Sequence, residues 1–384
     1  MVSPTPVTFG LPTQPASYSW EATDEEVAAR YGIPIGNIVR FDLNTSPSPP
    51  DLAARVLAAG IFDAPLSEYP PSDYRRLVET AARVYGVATD ELVVGAGADE
   101  ILDLVGKAFL PDGGRAVIPV PTYAMYRVVT EQRGATAVLV PRLGADRDYA
   151  LDLAATRTAA ADAEVVWLCS PNNPTGLPEP DGEIETLLDV VAVDAMVAGR
   201  APAIVVLDEA YAEFVGASLL ALRHRHPNLV IVRTASKAYA LAGLRVGFGI
   251  AHPETIARIV PYRPPGSVST VSLTVVTEAL ADPSGMRANV ARVDAERKRL
   301  ADALREAGWS VGPTVTNFLL VELASVERAA EVATELLRRG LVPRTFGPGH
   351  PLAHALRLTI RDRAGNDRLI AAAREIDGTG GSAP

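Results

Sequence analysis

LVIVRTASKAYALAGLRVGFGIA, residues 229–251 of this 384-residue chain, decides how the rest is read. It opens on a β-branched, apolar run (229–234), breaks at Ala235-Ser236-Lys237 and closes on a second run, RVGFGIA (245–251). Strand, loop and strand follow, because Val and Ile suit a pleated surface buried on both sides. Five comparable runs precede it: LVV (92–94), AVIPV (116–120), TAVLV (136–140), EVVWLC (164–169) and AIVVLD (203–208). Most are separated by helix-length stretches with apolar residues at helical spacing, such as 98–110 and 181–199. Continuous apolar strands alternating with helices predict an α/β fold with a seven-stranded, mostly parallel sheet covered on both faces.

From about residue 275 the texture changes to charged amphipathic stretches (285–308, 325–340) around short apolar runs at 315–322 and 355–360. That predicts a smaller α+β domain. The expected organisation is a Pro-rich arm at 1–40, briefly helical at 24–31 and joining the small domain, then a large domain at 41–274. The small domain takes 275–384 and ends in a loose tail, GTGGSAP.

Lysine and arginine total 36 against 46 acidic residues, a net charge of −10. Nucleic acid and anionic membranes need a basic footprint, so neither is expected as a partner, and small molecules are. A composition 48% apolar and 21% charged is that of a folded globule. Cys169 is the single cysteine and forms no internal disulfide, which fits a reducing compartment. The start, MVSPTPVTFGLP, lacks the charged and apolar regions of a signal peptide, and no run of about 18 apolar residues occurs. The expected location is the cytoplasm. Only three of the 36 cations are lysines: Lys107, Lys237 and Lys298.

In doubly wound sheets ligands sit at the carboxyl ends of the strands. There, run 164–169 leads into SPNNPTG (170–176), which alone reads as a turn. Run 203–208 ends in Asp208-Glu209-Ala210-Tyr211, where a lone Asp is commonly a helix cap. Run 229–234 leads to Lys237 and then Arg245; alone, such a lysine is a surface cation, but AYALAGL after it partly desolvates the amine. Taken together, an Asn, an Asp, a Tyr, a Lys and an Arg fall on one edge of one sheet. Other residues carry blander readings. Cys169 is a small core residue. His224 and His226 lack zinc spacing and acidic partners and are expected to face solvent. Glu209 is expected to point away from Asp208. Gly95, Gly97 and Glu100 do not complete a dinucleotide fingerprint.

The order SPNNPTG, DEAYAEF, SKAYALAGLRVGFG resembles the fold-type I pyridoxal-phosphate enzymes, within the class I/II aminotransferases. With GAGADE (95–100), PTYAMY (121–126) and RLTI (357–360), the pattern is most similar to the histidinol-phosphate aminotransferases over residues 40–362. The resemblance implies pyridoxal 5′-phosphate as cofactor, an amino donor and a 2-oxo acid acceptor as substrates, and a histidine-biosynthetic reaction. It makes Lys237 the Schiff-base lysine and proton shuttle, work that wants a pKa about 3 units below the reference amine. Asp208 matches the carboxylate facing the pyridine nitrogen. Asn173 and Tyr211 match the partners of the phenolic oxygen, and Tyr123 the aromatic on the ring face. The amides of Ala98 and Asp99, at a helix N-terminus, with Ser236 and Arg245, match the phosphate site. Tyr69 matches a tyrosine donated by the neighbouring subunit, which implies a homodimer. Arg357 and Arg344 resemble the clamp on the substrate's phosphate, and Asn44 borders the substrate.

The chain departs from the family pattern in LNTSPSP (43–49), where Asn44 is kept but an acidic residue and an aromatic after Pro47 are not. Tyr18, Trp20 and Tyr31 are the N-terminal aromatics able to compensate. Aromatic amino-acid transamination and decarboxylation of threonine phosphate remain alternatives, since relatives with those activities share the named residues. A ligand-sensing regulator is disfavoured, because no basic helix pair precedes the match.

Overall fold

The computed structural model describes residues 17–378; the expectations for residues 1–12 and for the tail beyond Gly378 lie outside the described residues. Its strands are β1 (Val39–Arg40), β2 (Leu92–Gly95), β3 (Arg115–Val120), β4 (Thr136–Pro141), β5 (Val165–Cys169), β6 (Ile204–Asp208), β7 (Leu229–Thr234), β8 (Gly247–Ala251), β9 (Ser310–Val311), β10 (Phe318–Glu322), β11 (Leu341–Val342) and β12 (Ala355–Thr359). Strands β2 to β8 form one sheet in the order β2-β8-β7-β6-β5-β3-β4. All seven expected strands are there, each within two residues of its predicted limits. Every residue of β2, β5, β7 and β8 is buried, which is why their sequences read as unbroken apolar runs.

Strands β3 to β7 pair in parallel, whereas β8 runs antiparallel to both its neighbours. The link 235–246 holds only the 3-10 turn Ala242–Leu244, with no helix to carry the chain back across a sheet face. β8 therefore starts at the end where β7 and β2 finish: Thr234 pairs with Gly247, and Gly247 with Gly95.

Helices fill both faces. Ala98–Phe109 packs Ile101, Leu104 and Val105 with Val93, Ile118 and Trp167, and Glu183–Val197 packs Leu187, Leu188 and Val191 with Val166, Val205 and Leu207. Helix Thr270–Ala281 crosses the expected change of texture near 275, yet its Leu273, Val276 and Leu280 pack with Leu92 and Phe248 of the large sheet. The chain leaves that sheet after Ala281. A second core forms around the antiparallel sheet β12-β10-β9 and the helices Ser284–Glu306 and Val326–Arg338. The N-terminal segment joins this core: β1 pairs with β11, and Phe41 is fully buried in it.

Glu209 points away from Asp208, as expected. It meets Arg233 at 2.8 Å, while Arg233 also meets Glu213 at 2.7 Å, and all three are buried or nearly so. Breaking a buried network by removing its cation strands the carboxylates, so Arg233→Ala is expected to cost about 3–5 kcal/mol. A urea titration of both proteins reads this directly as a lowered midpoint.

Candidate active site

A cavity of about 550 Å³ opens at the carboxyl edge of the large sheet. The structure brings together there Asn44, Ala98, Asp99, Tyr123, Asn173, Asp208, Tyr211, Ser236, Lys237, Arg245, Arg344 and Arg357. Tyr69 does not join them: in the single chain it is 92% exposed and outside the cavity.

Lys237 sits three residues past β7, and its Nζ lies 5.9 Å from the centre of the Tyr211 ring. Burial lowers its pKa from the ordinary amine value to about 8. The guanidinium of Arg357 pushes the same way, Asp99 and Asp208 oppose, and Arg245 contributes less than Arg357.

Asp208 ends β6 at the floor of the cavity and is 4% exposed. Tyr126 donates its hydroxyl to one carboxylate oxygen at 2.8 Å, and the Ala210 amide donates to the other at 3.0 Å. Both donors are neutral, and among the described residues no lysine or arginine ion-pairs with this carboxylate. Burial raises its pKa to about 6, with Tyr126 and the Ala210 amide pulling the other way. Tyr126 was not anticipated as a site residue. Its signal was the three-residue spacing in PTYAMY, which places Tyr123 and Tyr126 edge to face at 5.7 Å around the start of one helix.

The turn SPNNPTG serves both of its readings, on adjacent residues. Asn172 holds the turn, donating to the Pro121 carbonyl and to Thr175, while Asn173 faces the cavity. Asn173 accepts a hydrogen bond from Arg357 at 2.6 Å, and Asn44 donates to the Tyr211 hydroxyl at 3.0 Å.

Helix Ala98–Phe109 starts at the cavity with no side-chain cap, leaving its first amides available for an anion. Gly97 precedes it at φ 85°, where a Cβ would meet the Arg245 guanidinium. Arg245 pairs with Asp99 at 2.9 Å, and Asp99 also accepts from the Tyr123 hydroxyl at 3.0 Å; the Asp99 carboxylate thus belongs to the site along with its amide. Ser236 accepts from Thr234 at 2.9 Å and keeps its own hydroxyl proton to donate.

Arg357 is buried; it also donates to the Asp42 carbonyl, and its Nε is unpaired. Its backbone bridges that of Arg344, whose Nη1 donates to the Ser19 carbonyl at 2.7 Å. Tyr18 and Trp20 line the cavity, and Tyr31 does not, which ranks the three N-terminal aromatics. His226 is buried rather than solvent-facing, with Nε2 3.7 Å from Asp189, while His224 is exposed. Cys169 lies buried, with its thiol pKa pushed up by that burial.

The sequence matches the family model of aminotransferase class I and II over residues 41–372. The chain belongs to that family. A histidinol-phosphate aminotransferase of Roseiflexus castenholzii is 35% identical over 359 residues, covering 92% of this chain and 93% of the relative. One from Thermococcus gammatolerans is 36% identical over 91% of this chain and 95% of its own. In fold, the aminotransferase is similar to a histidinol-phosphate aminotransferase of Sinorhizobium meliloti solved with pyridoxal-5′-phosphate, at a TM-score of 0.83 and 24% identity over 96% of each chain. An L-threonine-O-3-phosphate decarboxylase of Porphyromonas gingivalis gives 0.74 at 23% identity, over 88% of this chain and 99% of its own.

The cofactor of this aminotransferase is pyridoxal 5′-phosphate, and the residues fit it. Asp208 is a buried carboxylate in need of a cation, which a protonated pyridine nitrogen supplies. The uncapped helix, Ser236 and Arg245 present donors for a phosphate, and Lys237 supplies an amine that loses its proton near neutrality.

Two outcomes follow. In the cofactor-free chain, acylation of Lys237 should rise with a midpoint near pH 8, since the neutral amine is the nucleophile. Peptide mass spectrometry separates it from Lys107 and Lys298. For Asp208 the folded pKa lies above the unfolded one, so its contribution to stability is present below about pH 4 and lost as pH rises through about 6. Asp208→Asn should therefore stabilise the cofactor-free chain above pH 6 or so, by an amount on the order of 3 kcal/mol, and do little at pH 4. Unfolding free energies across that range check it.

Proposed function

We propose that this aminotransferase carries the amino group of histidinol phosphate to 2-oxoglutarate, working in the cytoplasm as a homodimer. What carries this reading is the pair of cations, Arg357 and Arg344, that line the same cavity as Lys237. Arg357, with its unpaired Nε, and Arg344 suit a donor that bears a phosphate. The curated relatives named above support it.

Pyridoxal phosphate, when bound, supplies an electron sink for the donor's amine-bearing carbon. Lys237 would hold the cofactor through its amine, and the same amine, once released, would carry a proton from the donor's amine-bearing carbon. Asp208 keeps the pyridine nitrogen protonated; Tyr126 and the Ala210 amide hold its carboxylate in place. Asn173 and Tyr211 would hydrogen-bond the phenolic oxygen, with Asn44 orienting Tyr211, and Tyr123 would cover the ring. The Ala98 and Asp99 amides, Ser236 and Arg245 take the cofactor's phosphate, and Tyr69 completes that site from a second subunit, a role that suits its exposure here. The working division is a large domain ending near Ala281 and a small domain after it, joined by the N-terminal segment through β1 and Phe41.

Enzyme, cofactor, histidinol phosphate and 2-oxoglutarate should yield glutamate. A null result removes the donor; no half-reaction with any amine removes transamination; carbon dioxide without amino transfer selects a decarboxylase. Lys237→Ala is expected to lower turnover by at least about 10²–10⁴-fold. Arg344→Ala should raise KM for histidinol phosphate by roughly 10- to 100-fold, the worth of one charge-assisted bond. Sedimentation at micromolar concentration tests the dimer.

A further inference from the structure

The segment 18–21 lies along the mouth of the cavity and is tied down on both sides of Trp20. Ser19 accepts from Arg344 at 2.7 Å, and Glu21 accepts from the Thr345 amide at 2.7 Å and the Thr345 hydroxyl at 2.9 Å. Tyr18, under the Arg344 guanidinium at 5.3 Å, packs edge to face on Trp20 at 4.8 Å and on Tyr123 at 6.3 Å. An aromatic wall thus runs from the cofactor site out to the entrance.

Trp20 ends that wall 72% exposed. Of the large apolar side chains that stand exposed among the described residues, it alone lines the cavity. A scattered surface apolar residue needs no explanation. An indole held between two tethered residues at the edge of a concave site offers a fixed apolar face with one side still open to a ligand. The neighbouring segment lines the cavity with Leu43, Asn44 and Thr45 and supplies no aromatic ring.

We propose that Trp20 is a specificity-determining residue that packs its indole against the planar ring of the amino donor's side chain. This rests on the reading of a ring-bearing donor above and adds the residue that recognises the ring. Glutamate, the product on the acceptor side, has no ring and gains nothing from the same face. One pocket can therefore serve two unlike substrates, the first through Trp20 and both through the arginines.

The test compares kcat/KM for histidinol phosphate, phenylalanine and glutamate as donors to the holoenzyme, to Trp20→Ala and to Trp20→Phe. Trp20→Ala should lose about tenfold with the two ring donors and stay within about twofold with glutamate, and Trp20→Phe should recover most of the loss. Equal losses with all three donors mark the segment as merely structural and overturn the proposal, as do unchanged values with the ring donors. If the wild type rejects histidinol phosphate but accepts phenylalanine, the proposed donor fails while phenylalanine against glutamate still decides Trp20. A wild type that accepts neither ring donor overturns both.

Discussion

A carboxylate buried without an ion-pair partner is the constraint around which this molecule is arranged. Asp208 is held by a hydroxyl and an amide, both neutral, and the pKa of about 6 measures how poorly two dipoles replace a cation. A positive charge brought to that oxygen would offset the cost. The same burial that raises Asp208 lowers Lys237, so one low-dielectric cavity prepares an acid and a base in opposite directions. The Arg357 guanidinium adds to the lysine's shift.

Much of this was legible in the chain. Buried parallel strands are apolar on both faces, so their runs stand out, and the residues just past them sit where backbone groups turn towards a ligand. The motif residues Asn173, Asp208, Tyr211, Lys237 and Arg245 were therefore found at strand ends and are found together in space. Tyr126 escaped because a tyrosine in the first turn of a helix under a sheet looks like any core aromatic; only the third dimension shows that its hydroxyl reaches Asp208. The break near 275 was misjudged in the same way, since Thr270–Ala281 keeps a strongly apolar surface against Leu92 and Phe248 and composition alone does not say which core a helix joins. His226 was misjudged because burial of a polar ring at a helix end is set by neighbours far away in sequence.

The N-terminal aromatics show another limit. Tyr18, Trp20 and Tyr31 are equivalent in sequence, separated only by where the chain crosses the cavity. That path is fixed by the Ser19 and Glu21 contacts to Arg344 and Thr345, more than 300 residues on, and by β1 beside β11. Contacts of such separation leave no local periodicity to read.

The reversed strand β8 has a consequence for how the enzyme can change over time. Gly247 touches Thr234 on one side and Gly95 on the other, and a methyl added to it would collide with the backbone at Gly97 and Ala98. The spacing between the lysine loop and the anion-binding turn is thus written in main-chain hydrogen bonds and one missing side chain. Other walls of the cavity come from the amino-terminal segment, with Tyr18 and Trp20, and from the smaller sheet, with Arg357. The two parts still meet, through Arg357 on Asn173 and Asn44 on Tyr211, so a change in the outer walls reaches the strand-end residues through those bonds.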